Sequence, residues 1–154
     1  MLAAGFAAAL AAGPATAATP DPQEAAAIAT VQAFFDAMAS QDADAVRAVT
    51  LPGGMYTSIR PGAAGATTVS RVTVEDFAQH LRPGLHEQMW SPRVSLRGAL
   101  LATVTGPYEF QLDGKTTHCG IDVFDLAKVE GRWRVASVIW TAEPDSCAEL
   151  KARK

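Results

Sequence analysis

The sequence predicts an α+β domain in which helices grouped early in the chain cover one face of a curved antiparallel sheet built from its later part. Three observations carry this. Residues 22–49 place apolar side chains at three- and four-residue spacing, the mark of amphipathic helices. From Glu87 to Trp140 the pattern changes mostly to alternation, the mark of strands. Asp113-Gly114 and Glu130-Gly131 each sit between alternating runs, where a type I′ turn needs positive φ at both central positions. Such a sheet can wrap a long first helix and leave a cavity between them.

The elements follow in order. Asp21 caps the first helix, Pro22 suits its first position, and Glu24 completes a capping-box pattern. Ile28, Val31, Phe35 and Met38 form one apolar stripe, widened by Phe34. Ser40-Gln41-Asp42 interrupts it, and Asp42 caps a short second helix with Val46 and Val49 inward. Leu51-Pro52-Gly53-Gly54 is expected to stop that helix. Met55–Ile59 reads as a short strand, Pro61–Ala66 as a loop, and Thr67–Val72 as a β-branched partner strand. Thr73 caps a third helix with Phe77 and Leu81 inward, ended by Arg82-Pro83-Gly84. Glu87–Arg97 alternates around Pro92, which marks a bulge or an edge. Leu100–Thr105 leads to Gly106-Pro107, and then come Tyr108–Leu112, Lys115–Val129 and Arg132–Trp140. The run from Lys115 is too long to be flat, so Gly120 is expected to mark a bend or bulge.

The chain has 154 residues, 49% hydrophobic and 19% charged, which suits one globular domain. A net charge of −3 with scattered basic residues leaves no electrostatic footprint for nucleic acid. Residues 1–19 carry no charged side chain. Leu2–Ala12 is an apolar Ala-rich run, and Ala15-Thr16-Ala17 fits the small-x-small pattern of a cleaved export signal. A signal normally begins with Lys or Arg, which is missing here, and an Ala-rich tail is the alternative. The run falls short of the ~20 residues that span a bilayer. The expected organisation is a signal peptide over 1–17, a flexible leader over 18–23, a domain over 24–142 and a tail over 143–154, with a periplasmic or secreted location.

Pairing the strands about Glu130-Gly131 sets Cys119 opposite Ala142, and Cys147 follows five residues on, beyond Pro144. If the chain curls back there, a disulfide ties the tail to the sheet; two free buried thiols are the alternative.

His118 and Asp122 are four apart, so a period-2 strand puts both on the face carrying Phe124 and Leu126. Two polar groups beside buried apolar ones suggest a pocket wall. As a pair they are candidate catalytic groups, Asp122 or His118 as base. The competing reading has His118 bonded to backbone and Asp122 paired with Arg134, Arg93 or Arg97. Tyr56, Trp90 and Tyr108 are further polar candidates for the pocket. Phe35, Met38, Phe110 and Phe124 are expected to supply its apolar lining. His80 and His86 have no metal-ligand spacing, so no metal and no cofactor are expected.

Two stretches, V-Q-A-F-F-D-A-M-A-S-Q-D-A-D-A-V-R-A-V (31–49) and H-C-G-I-D-V-F-D-L-A-K-V-E-G-R-W-R-V-A-S-V-I-W (118–140), resemble the nuclear transport factor 2-like superfamily. They resemble its opening helix pair and its closing hairpin. The nearest likeness is to small exported bacterial members, grouped as SnoaL-like or "putative lumazine-binding" proteins. The resemblance implies a cone-shaped sheet around the first helix, cystatin-like, with an apolar pocket open at one end. It implies a small apolar ligand and a homodimer formed through the open sheet face, where Arg132, Arg134, Val138 and Trp140 are expected. By the isomerase-like and cyclase-like members, Asp122 would be the base and Tyr108 or Tyr56 the donor, although their Tyr-and-two-acids set is incomplete here. The expectation is an exported binding protein; an isomerase, cyclase or hydrolase and a dimeric interaction module are the alternatives.

Overall fold

The computed structural model describes residues 21–152. The export signal expected over 1–17 lies outside the described residues. The two first helices are α1 (Pro22–Ala39) and α2 (Ala43–Val49). Asp21 accepts from the Gln23 N–H at 2.8 Å, and Asp42 accepts from the Ala45 N–H at 2.8 Å. Each side chain thereby satisfies one of the orphan donors of a helix start. β1 (Thr50–Pro61) and β2 (Thr67–Thr73) follow, then α3 (Val74–Gln79), capped by the Thr73 hydroxyl. The rest is β3 (Leu85–Met89), β4 (Arg93–Arg97), β5 (Leu101–Leu112), β6 (Lys115–Val129), β7 (Arg132–Thr141) and α4 (Cys147–Lys151).

The strands form one sheet in the order β2-β1-β7-β6-β5-β3, with β4 also on the outer edge of β5. β1 begins one residue after α2, and Leu51–Gly54 loop out inside it rather than ending α2 before a separate strand. β1 runs parallel to β7, against the expectation of antiparallel pairing throughout. Alternation in sequence reports a strand's faces but not its direction, so this was not readable.

Gly106-Pro107 lies inside β5 instead of separating two strands. β3 pairs with residues 108–112 and β4 with 101–105, so the outer edge is interrupted at Pro107, which has no N–H to offer. Gly106 is needed there: a Cβ would come within 2.9 Å of Met89 Cγ.

The hairpin turns have the expected backbone, with φ 52° and 73° at Asp113-Gly114 and 51° and 76° at Glu130-Gly131. The irregularities of β6 and β7 fall away from Gly120. One register shift leaves Thr117 unpaired beside Phe110, and another leaves Ala136 unpaired beside Asp125. Gly120 instead permits a close approach, since a Cβ would stand 1.8 Å from the Thr141 carbonyl oxygen. The extra residue at Ala136 also moves Cys119 opposite Glu143 rather than Ala142.

The concave face of the sheet closes on α1. Phe34 sits at the centre, with ring centroids 5.6 Å from Tyr56, 5.8 Å from Phe77 and 5.7 Å from Phe124. The Tyr56 and Phe124 rings meet Phe34 edge-to-face and Phe77 stacks on it, and such pairs add to the burial of apolar area. On the opposite face, the Cys119–Cys147 disulfide and the Lys151–Glu109 ion pair (2.8 Å) hold α4 to the sheet.

Candidate functional site

The cone remains open at one end as a cavity of about 380 Å³. Phe34 and Met38 reach it from α1, one helical turn apart. Phe77 enters from α3, and Phe110, Phe124, Val138 and Trp140 from the sheet. Arg60, Arg82, Thr117 and Pro144 are its exposed lining residues and form the mouth.

Alternation on β6 brings His118, Asp122 and Phe124 to the inner face. Asp122 is 1% exposed, and its Oδ2 has no ordinary hydrogen-bond donor. The side chain that meets it is Glu87 of β3, carboxyl to carboxyl. Glu87 is inward because β3 alternates, with Leu85 and Met89 on the same face. A proton on one of the two carboxyls would supply the missing donor. Burial raises Glu87 to about 7, and burial with the adjacent Glu87 raises Asp122 well above the carboxylate range. Two carboxyls in one apolar site cannot both ionise at ordinary cost, so the pair titrates as a unit.

His118 is depressed to about 4, by burial first and by the Arg60 charge second, and is therefore neutral at pH 7. Its Nδ1 is 2.8 Å from the Thr117 hydroxyl, and its ring stacks on Phe110 at 4.9 Å. The Tyr108 hydroxyl donates to the Thr141 carbonyl at 2.8 Å, tying β5 to the end of β7 across Gly120. Its pKa is raised, chiefly by burial, with Asp122 and Glu87 adding to the effect. The Tyr56 hydroxyl is buried against the cavity beside Thr50, whose own hydroxyl donates to the Val46 carbonyl.

His118, Asp122, Met38, Tyr56, Tyr108, Phe110 and Phe124 all line this one cavity. Phe35 and Trp90 do not. Phe35 is one residue round α1 from the Phe34–Met38 side and packs edge-on to Phe124 at 5.5 Å in the core. Trp90 follows Met89 at the end of β3, one residue out of phase with the inward Leu85, Glu87 and Met89; its backbone N–H donates to the Pro107 carbonyl at 3.0 Å. No hydrogen bond joins His118 to Asp122 among the described residues, and none of Arg93, Arg97 or Arg134 pairs with Asp122. Arg93 and Arg97 are on the exposed side of β4.

Val138 and Trp140 line the cone instead of the outer face, because the Ala136 irregularity inverts the alternation of β7 beyond it. The outer face there carries Ile139, opposite Val123 and diagonal to Ile121 of β6. Sequence reasoning missed Glu87, whose signal was an acid between two apolar residues at i ± 2. His80 bonds the Asp76 carbonyl at 2.6 Å and His86 is exposed; the described residues hold no cluster suited to a metal.

A curved sheet closed on a long helix, with an apolar cone between them, is the architecture of the nuclear transport factor 2-like superfamily. Residues 22–141 match the family described as "Putative lumazine-binding", and the chain belongs to that family. Similar solved structures agree on the fold. A Nostoc punctiforme protein of unknown function with a cystatin-like fold has a TM-score of 0.63 at 11% identity, covering 79% of this chain and 92% of its own. A nuclear transport factor 2-like protein with a cystatin-like fold from Novosphingobium aromaticivorans gives 0.62 at 13%, covering 84% and 87%. A "putative dehydratase" of this superfamily from Streptomyces avermitilis gives 0.61 at 16%, covering 80% and 98%. At these identities the likeness concerns the fold alone. No curated protein matches the chain.

Proposed function

We propose that this protein binds a small, largely apolar molecule in the cone and holds its polar edge with the Asp122–Glu87 carboxyl pair. The observation that carries this is a buried Asp122 oxygen without an ordinary donor, at the wall of an aromatic cavity of about 380 Å³. Small-molecule sites combine such apolar walls with few convergent polar groups, in cavities of about 300–1,000 Å³. The family description supports ligand binding in general. A neutral naphthyl ketone such as Prodan tests it, because its emission shifts to the blue in an apolar site. Saturable one-to-one binding is expected, abolished by Val138→Phe, which fills the cone, with folding checked by circular dichroism. No saturable binding, or equal binding by a folded Val138→Phe, refutes it.

The carboxyl pair also favours a second reading, proton transfer beside a carbonyl. A carboxyl poised near neutral pH can donate or accept a proton at the same position. The test is exchange of the probe's propionyl methylene protons in D₂O. Acceleration by the wild-type protein and not by Asp122→Asn supports catalysis; equal exchange rates dismiss it.

We further propose export to an oxidising compartment, supported by the disulfide and by the pattern of residues 1–17. No helix of the described residues is long and apolar enough to cross a membrane. A homodimer through the outer face is proposed on the exposed Ile121 and Ile139, and light scattering at micromolar concentration tests it.

A further inference from the structure

The cone has a polar asymmetry that the proposed binding role does not use. Its wall carries the carboxyl pair, with Asp122 buried, while the exposed Arg60 and Arg82 stand at its mouth. Neither arginine makes an ion pair among the described residues. Glu143 and Asp145 border Arg60 on the side away from the cone, yet neither is within salt-bridge distance of it. His118 and Tyr108, the titratable cone side chains that feel the Arg60 charge, are both neutral at pH 7. The mouth therefore presents two guanidinium groups with no salt-bridge partner among the described residues, above an apolar shaft.

We infer that the cone takes a small organic anion, with its flat apolar body among the aromatic side chains and its carboxylate at Arg60 and Arg82. The orientation follows from the chemistry of the two ends. A carboxylate beside Asp122 and Glu87 would meet two carboxyls, whereas at the mouth it meets guanidinium donors suited to it. The end facing Asp122 and Glu87 is then neutral, a hydroxyl or carbonyl able to exchange a hydrogen bond with the shared proton. At about 380 Å³ the cavity lies at the small end of the range for small-molecule sites, about 300–1,000 Å³, which suits a compact bicyclic body. A cation is disfavoured by the mouth, and a long flexible chain by the volume.

This inference deepens the binding role proposed above and rests on it. Its test uses 6-hydroxy-2-naphthoate and the corresponding neutral amide, titrated by calorimetry at low salt. The naphthoate is expected to bind about five-fold more tightly, a typical worth for exposed charge contacts. The preference is expected to shrink with added salt and to vanish in the Arg60→Ala/Arg82→Ala variant, whose exposed positions leave the core untouched. Equal binding of both probes by the wild-type protein, or a preference that survives in the double variant, overturns the inference while leaving the cone as a ligand site. Binding of neither probe overturns both.

Discussion

Replacing Glu87 by Gln is the most informative single change. Gln has the shape of a protonated Glu but cannot ionise, so it isolates the cost of the carboxyl pair. The unfolded chain releases the Glu87 proton near its ordinary 4.5, whereas the folded protein holds it to about 7. Between these values the folded state binds more protons than the unfolded state, so this group makes stability fall as pH rises. At about 1.4 kcal/mol per pH unit the full loss is about 3 kcal/mol. His118 acts in the opposite sense: its folded value of about 4 lies below its ordinary 6.5, so it makes stability rise across that acidic range. It is present in both proteins and cancels in their difference, whereas Asp122 loses the neighbouring charge of Glu87 in the variant, which adds to the gain in the same sense. Glu87→Gln should therefore match wild type near pH 4.5 and gain on it steadily, reaching about 3 kcal/mol, or about 10 °C in melting temperature, above pH 7. Urea unfolding at a series of pH values reads the difference directly. A difference that is flat with pH, or a variant less stable at pH 8, refutes the shared-proton argument.

Other expectations follow from the geometry. Reducing Cys119–Cys147, which closes a loop of sequence separation 28, should cost about 3–4 kcal/mol in urea unfolding; no change would show that α4 stays docked through Leu150 and Lys151 alone. Gly120→Ala drives a methyl into the Thr141 carbonyl and should cost about 1–3 kcal/mol, read as a lower melting temperature. Tyr108→Phe removes one hydrogen bond to that carbonyl, so a loss of about 1 kcal/mol is expected with Prodan binding retained; loss of binding with unchanged stability would make Tyr108 a ligand donor instead. Phe34→Ala opens the aromatic centre and should cost about 3–5 kcal/mol in the same unfolding assay.

The local signals in the sequence carried much of the fold. The caps at Asp21, Asp42 and Thr73 and the two turns at Asp113 and Glu130 are short-range chemistry, and they form where the residues indicate. The inward face of β6 was legible for the same reason, since His118, Asp122 and Phe124 belong to one uninterrupted stretch of alternation. What escaped depends on neighbours distant in sequence. The parallel β1–β7 pairing is a choice between strand edges. The irregularity at Ala136 inverted Val138 and Trp140, turning an expected outer face into cavity wall. The partner of Asp122 comes from β3, in a segment whose strand was blurred by Pro92. A second acid was the unexpected partner, because sequence reasoning looks for an opposite charge, whereas a shared proton satisfies two like ones.

The central claim is that the Asp122–Glu87 pair keeps a proton in the cone near neutral pH. Carbon-13 NMR of the Asp and Glu carboxyl carbons, titrated from acid to mildly alkaline pH, tests it most directly. The account predicts that the resonances of these two residues, assigned with Asp122→Asn and Glu87→Gln, titrate together with a first midpoint near 7. If both residues instead titrate independently near the ordinary carboxylate value of about 4, the pair holds no proton at neutral pH and the account is contradicted.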